Sequence, residues 1–210
     1  MQSDPRYPIG KFDRNINVTK EMRSDSMNII DTLPSQLRME VENLSEQQLD
    51  TPYRFGGWTI RQVVHHIPDS HINSYVRFKL TLTENNPTIK TYEEHLWAEL
   101  KDSLETPINI SLTLLEALHS RWVILLRSLT DEQFEKTFQH PEWGNITLSK
   151  TLALYVWHQR RALPIPMPDD EPLPRAMRAI MLVLGSLLAL FALAVFALPF
   201  FAGVAAGMWA

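Results

Sequence analysis

Seven histidines are the residues of this chain best suited to chemistry: His65, His66, His71, His95, His119, His140 and His158. A neutral imidazole binds divalent metals, and its proton comes and goes near neutral pH. Only His65, His66 and His71 cluster in sequence. Consecutive helical residues point about 100° apart, so His65 and His66 cannot both face one interior. Either is a candidate buried ligand. The simpler reading makes one a hydrogen-bonded core residue and leaves the other solvated. His66 and His71 stand five apart, about 140° around a helix. No HxxxH or HExxH, which would set two imidazoles on one side, occurs in the chain. His119 lies near Trp122 in an apolar stretch and reads as a satisfied core residue. His140 precedes Pro141 in a loop, with no local partner.

Other chemistries are excluded more simply. The chain has no cysteine, which removes thiol nucleophiles, disulfide frameworks and cysteine-type zinc fingers. It has no GxSxG elbow for a serine nucleophile. Before Arg178 its glycines are Gly10, Gly56, Gly57 and Gly144, which build no glycine-rich phosphate loop. A net charge of −4 is mild and shows no basic stripe, so nucleic acid is not an expected partner.

The elements that must position these residues read as helices. Met27, Ile30, Leu33, Leu37 and Val41 recur at spacings of three and four, predicting a helix over about Thr19 to Leu44, with Pro34 as a kink. A second helix begins near Thr59, after Gly56-Gly57, with Ile60, Val63, Val64 and Ile67 as its stripe. A third covers Ser111 to Leu129, through Leu115, Leu118, Trp122 and Leu126. Thr130 and Gln133 form a capping box for a short helix. A fourth long helix starts at Thr147 and carries Leu148, Leu152, Tyr155 and His158. A short helix around Tyr92 to Lys101 interrupts the long link between the second and third. Strand signals are weak. The expectation is an all-α four-helix bundle over residues 1–162.

After Ala162 the character changes. Pro164, Pro166, Pro168, Pro172 and Pro174 mark residues 163–178 as a proline-rich linker. No charge follows Arg178, so residues 179–210 form an apolar segment. Ala179 to Leu198 is long enough to cross a hydrocarbon core of about 30 Å, which makes 179–198 a candidate membrane helix. Arg175 and Arg178 precede it and no Lys or Arg follows. The positive-inside rule then places the bundle in the cytoplasm and the tail in the inner or plasma membrane.

Several strings carry a resemblance. They are Tyr7-Pro8-Ile9-Gly10; Leu49-Asp50-Thr51-Pro52-Tyr53-Arg54; Gly56-Gly57-Trp58-Thr59-Ile60-Arg61-Gln62-Val63-Val64-His65-His66; and Asp69-Ser70-His71. Asn73-Ser74-Tyr75, Arg77-Phe78-Lys79-Leu80, Trp97 to Ser103 and Leu154-Tyr155-Val156-Trp157-His158 extend them. Over residues 7–160 the chain resembles the DinB-like superfamily, closest to its YfiT branch of metal-dependent hydrolases, which is related to bacillithiol S-transferases. The resemblance implies an up-down four-helix bundle and a divalent metal, zinc or nickel, held by three histidines. It places one ligand on His66. The other two positions fall on Arg161 and Ile165, and neither side chain can bind zinc. His158 matches a preceding histidine that is not itself a ligand, and is the nearby candidate for a substitute ligand. Pro68 stands where the branch commonly has alanine and is expected to bend the helix just after His66.

The resemblance thus implies a metal-dependent hydrolase or thiol S-transferase acting on a small-molecule substrate, with a low-molecular-weight thiol as second substrate in the transferase case. A homodimer is also implied. The alternative is a non-catalytic, membrane-tethered bundle that binds a partner or small molecule in the old pocket.

Overall fold

The computed structural model describes residues 12–52 and 56–160. The proline-rich linker 163–178, the apolar segment 179–210, and positions Arg161 and Ile165 lie outside the described residues. Among the described residues no helix is long and apolar enough to cross a membrane.

Four long helices form the bundle: α1 (Lys20–Val41), α3 (Ile60–Thr83), α6 (Ile108–Ser128) and α8 (Leu148–Arg160). Between them lie α2 (Glu46–Leu49), α4 (Glu94–Ala98), α5 (Lys101–Glu105) and α7 (Asp131–Phe134). The expected short helix after Tyr92 is therefore two, α4 and α5. The starts are set by side chains that satisfy the orphan amides of a first turn. Thr19 caps α1, while Thr59 with Gln62 and Thr130 with Gln133 make full capping boxes at α3 and α7. Neither helical proline ends its helix: α1 runs through Pro34 and α3 through Pro68.

The helix order departs from simple up-down. Arg38 of α1 bonds Asn109 and Glu116 near the start of α6, while Asp31 meets Arg127 near its end, so α1 and α6 are antiparallel. His65 and His71 of α3 meet Ser111 and His119 of α6 in the same order, so α3 and α6 run parallel. The direction pattern is up, down, down, up, with α8 antiparallel to α3. The reason is the long link 84–107. It carries α4 and α5 back along α3, where Gln62 donates to the Ala98 carbonyl at 2.9 Å. The chain thereby re-enters α6 at the end where α3 began. In cross-section α6 sits between α1 and α3, with α8 against both on the other side.

A small hairpin corrects the all-helical expectation. β1 (Thr137–His140) pairs antiparallel with β2 (Gly144–Thr147), with Phe138 opposite Ile146 and His140 opposite Gly144. The turn closes at Gly144, whose φ of +69° suits glycine. Strands of four residues are too short to show an alternating pattern in the sequence. Gln139 also bonds the backbone at Pro87 and Ile89, tying the hairpin to the segment after α3.

The core has two apolar clusters. One joins Leu37, Val41, Ile60, Val64, Ile67, Leu112 and Leu115. The other joins Ile30, Phe78, Trp122, Leu126, Phe138, Leu148 and Leu152. Between them lies a buried polar layer of Ser70, His71, Ser74 and His119.

Candidate metal-binding pocket

His65 and His66 are both buried, 4% and 1% exposed. The expectation that one would be solvated is wrong. Helix α3 has no free face at this level, because α6 covers one side and the returning link another. His65 is the satisfied member. Its Nε2–H donates to the Thr106 carbonyl at 2.9 Å, which leaves Nδ1 to accept from the Ser111 hydroxyl at 2.7 Å. Burial lowers its pKa. Arg61, one residue before, is also buried and bonds Asp50 at 2.8 Å and Glu46, pinning α2 to α3.

His66 differs. Neither ring nitrogen has a hydrogen-bond partner, although both are fully buried. The Trp58 ring lies against it, 4.8 Å between centroids. Burial pushes its pKa down to about 4, so the ring is neutral and keeps a lone pair at pH 7. Buried polar atoms almost always find partners, so an imidazole orphaned at both ends makes His66 a candidate ligand.

Its height in the bundle is set by the next turn. The Tyr155 hydroxyl of α8 donates to the Ser70 carbonyl at 3.2 Å. Since α3 and α8 are antiparallel, one turn back from Ser70 and one turn on from Tyr155 share a level. His66 therefore faces the height of residues 158–160 of α8. His158 is on that turn; its side chain lies outside those described. Among the described residues no three His, Cys, Asp or Glu side chains gather as a ligand group. One donor of the implied three is in place, and those residues alone do not fit a three-histidine centre. Helix α3 continues through Pro68, and His66, two residues before it, is buried.

The remaining histidines separate clearly. His119 is the satisfied core residue the sequence suggests, 1% exposed with Nδ1–H donating to the Ile30 carbonyl at 2.6 Å. His71 lies on another face of α3 from His66 and bonds His119, ring nitrogen to ring nitrogen, at 2.6 Å. His140 does have local partners, against expectation. The Glu142 amide donates to its Nδ1 at 3.2 Å, and the Trp143 ring lies 5.6 Å away. The strand β1 turns it inward, to 8% exposure.

Sequence reasoning missed an acidic group on the link side of α3. Burial raises Asp69 to about 6, aided by the nearby charge of Asp102. Burial raises Glu94 to about 7, against the opposing pull of Arg77. Tyr92 is shifted upward by burial as well, and its hydroxyl is buried. No periodicity marks these residues, because the link that delivers Tyr92 and Glu94 is irregular.

Comparisons agree with this architecture. The model of the DinB superfamily matches residues 29–162. A protein of Bacillus cereus (strain 03BB102) named "Putative metal-dependent hydrolase" is 55% identical over 158 residues, covering 75% of this chain and 91% of that protein. One of the same name from Bacillus anthracis (strain A0248) is 54% identical over the same shares. Among solved structures, YfiT from Bacillus subtilis is described as "a probable metal-dependent hydrolase with an unusual four-helix bundle topology". It superposes with a TM-score of 0.72 at 42% identity, covering 90% of this chain and 97% of YfiT. A model match from α1 to the end of α8, joined to relatives this similar over most of their length, means that the chain belongs to the DinB superfamily, in its YfiT-type branch.

Proposed function

We propose that this chain is a metal-dependent hydrolase acting on a small molecule, with His66 as the ligand that α3 supplies to a divalent metal, zinc or nickel. One observation carries the reading: a neutral, buried imidazole with both nitrogens unpartnered. A bound divalent metal polarises a substrate group or activates a water, or a thiol in the S-transfer version of the reaction. The chain's own residues shape the place. Trp58 walls the ring of His66, and Tyr155 fixes α8 to α3 one turn below. His158 is the substitute ligand proposed from the last described turn. The low-molecular-weight thiol, the homodimer, the cytoplasmic bundle and the membrane-inserted tail belong to the same proposal.

Arg161 and Ile165 favour a second reading, because neither offers a donor where the family resemblance expects one. In that reading the bundle binds a partner or small molecule without catalysis. Metal content of the full chain separates the two. Stoichiometric zinc or nickel in the purified protein, lost in His66→Ala, is the expected result. Metal-free protein after growth with both metals supplied would favour the binding bundle.

A further inference from the structure

Arg77, on α3, is a guanidinium without a counter-ion. Among the described residues the arginines in ion pairs are Arg23, Arg38, Arg61 and Arg127. The Nε of Arg77 is fully buried and has no hydrogen-bond partner. A guanidinium cannot shed its proton, so its burial has to be answered by an acceptor. One turn earlier, Ser74 is 0% exposed and its hydroxyl also lacks a partner. Residues three apart on a helix are neighbours, so these two donors adjoin.

The surroundings supply no fixed anion within ion-pair distance. Glu94 is close enough to feel the charge of Arg77. Burial nevertheless pushes its carboxyl up to about 7, with Glu142 and Glu93 adding to the rise, so it holds no full negative charge at neutral pH. His140 is neutral, brought down to about 4 by burial and by the charges of Arg77 and Arg14. Tyr92 adds a buried hydroxyl beside Ser70. The place thus offers hydrogen-bond donors around one permanent positive charge, and its complement is an oxyanion. With Glu142 also near Glu94, the positive excess is small. That suits a singly charged carboxylate better than a phosphate dianion.

Helix geometry ties this place to His66. Arg77 follows His66 by eleven residues and Ser70 by seven, and both intervals return to within about 20° of the same face. Eleven residues rise about 16 Å. Helical side chains leave the backbone toward the N-terminus, so Arg77 sets out in the direction of Ser70 and His66. Between the two, at Ser70, Tyr155 of α8 and Tyr92 of the link both meet α3. The candidate ligand and the unpaired cation therefore share one covered face of one helix.

We propose that Arg77, with Ser74 beside it, is a carboxylate-binding site, and that the small molecule this chain selects is a monoanion held there by its carboxylate. The proposal rests on the hydrolytic reading above, which places the bond to be broken at the His66 end of the same face.

Binding to the full chain tests it without any reaction. The probes are glutaric acid monoanilide and its primary amide, which has the same length and no charge. The wild type is expected to bind the acid at least about 10-fold more tightly by calorimetry, the worth of one charge-assisted hydrogen bond. In Arg77→Met the two probes bind alike, while Arg77→Lys, which keeps the charge but not the fork, retains part of the preference. A second reading needs only folded wild type and Arg77→Lys. The arginine Nε–H signal that disappears in Arg77→Lys moves when the acid is added and stays still with the amide. Equal affinities in the wild type, or no measurable binding of the acid, overturn the proposal and leave Arg77 paired with Glu94 through water. A preference that survives Arg77→Met overturns it as well. So does a preference lost in His66→Ala, since the carboxylate would then be held by the metal. The hydrolytic reading is checked apart from this, with mono-p-nitrophenyl adipate and its methyl ester. The acid is expected to be preferred at least about 10-fold in kcat/KM. Acid-selective binding with neither ester hydrolysed would refute hydrolysis and leave the carboxylate site standing.

Discussion

Acid should unfold this protein through its buried histidines, with buried carboxyls resisting. Burial holds His66, His119 and His140 near 4, well below the ordinary 6.5. The unfolded chain therefore binds protons first, and each histidine withdraws stability as pH falls from 6.5 toward 4. One pKa unit is about 1.4 kcal/mol, which gives ~3 kcal/mol each for His66 and His119 and ~2 for His140, nearer the surface. Asp69 and Glu94 act in the opposite sense. Their folded values, about 6 and about 7, lie above the ordinary 3.8 and 4.5. The folded chain binds those protons first, so each returns ~2 kcal/mol between pH 7 and 4, after allowance for partial exposure. The net loss is ~4 kcal/mol, a large share of a stability of about 5–15 kcal/mol. Urea unfolding of the metal-free full chain at pH 7, 5.5 and 4 measures it. His119→Gln preserves both hydrogen bonds but cannot titrate, so its loss shrinks to ~1 kcal/mol. Glu94→Gln removes a compensating group, and its loss grows to ~6 kcal/mol. Wild type and both variants falling in parallel would refute the reasoning.

Two further substitutions probe how the site is held. Arg61→Ala removes a buried guanidinium whose partners, Glu46 and Asp50, keep side-chain exposures of 82% and 59% and can rehydrate. The expected cost is ~2 kcal/mol rather than the 3–5 of a stranded buried charge, read as a fall of roughly 4–8 °C in thermal midpoint; a shift under about 1 °C would contradict it. Pro34→Ala gives α1 back an N–H that competes with His119 for the Ile30 carbonyl. The expected gain in urea stability is at most ~1 kcal/mol; a gain near the full ~3 of a relieved helical proline would mean that His119 contributes nothing there.

The long helices were legible because each buries a stripe with the helical period, as Ile30, Leu37 and Val41 do in α1. Their directions were not. Whether α6 runs with or against α3 depends on where the link 84–107 delivers the chain, and periodicity says nothing about that. The same link explains the misplaced histidine. An amphipathic pattern assumes one wet face, yet every residue from Ile60 to Pro68 is buried because α4 and α5 cover the face that α6 does not. The proposal of His66 as a metal ligand came from family resemblance, and the structure adds that both its ring nitrogens are buried without hydrogen-bond partners. The His71–His119 bond joins residues 48 apart, and no local motif announces it. A signal was nevertheless present in the sequence, in the prolines. A proline inside a helix deprives the carbonyl four residues earlier of its donor, and a buried carbonyl needs another. Pro34 marks Ile30 in this way, and His119 answers it. Pro68 marks Val64, two residues before His66, so the same rule singles out the turn of α3 that carries the candidate ligand.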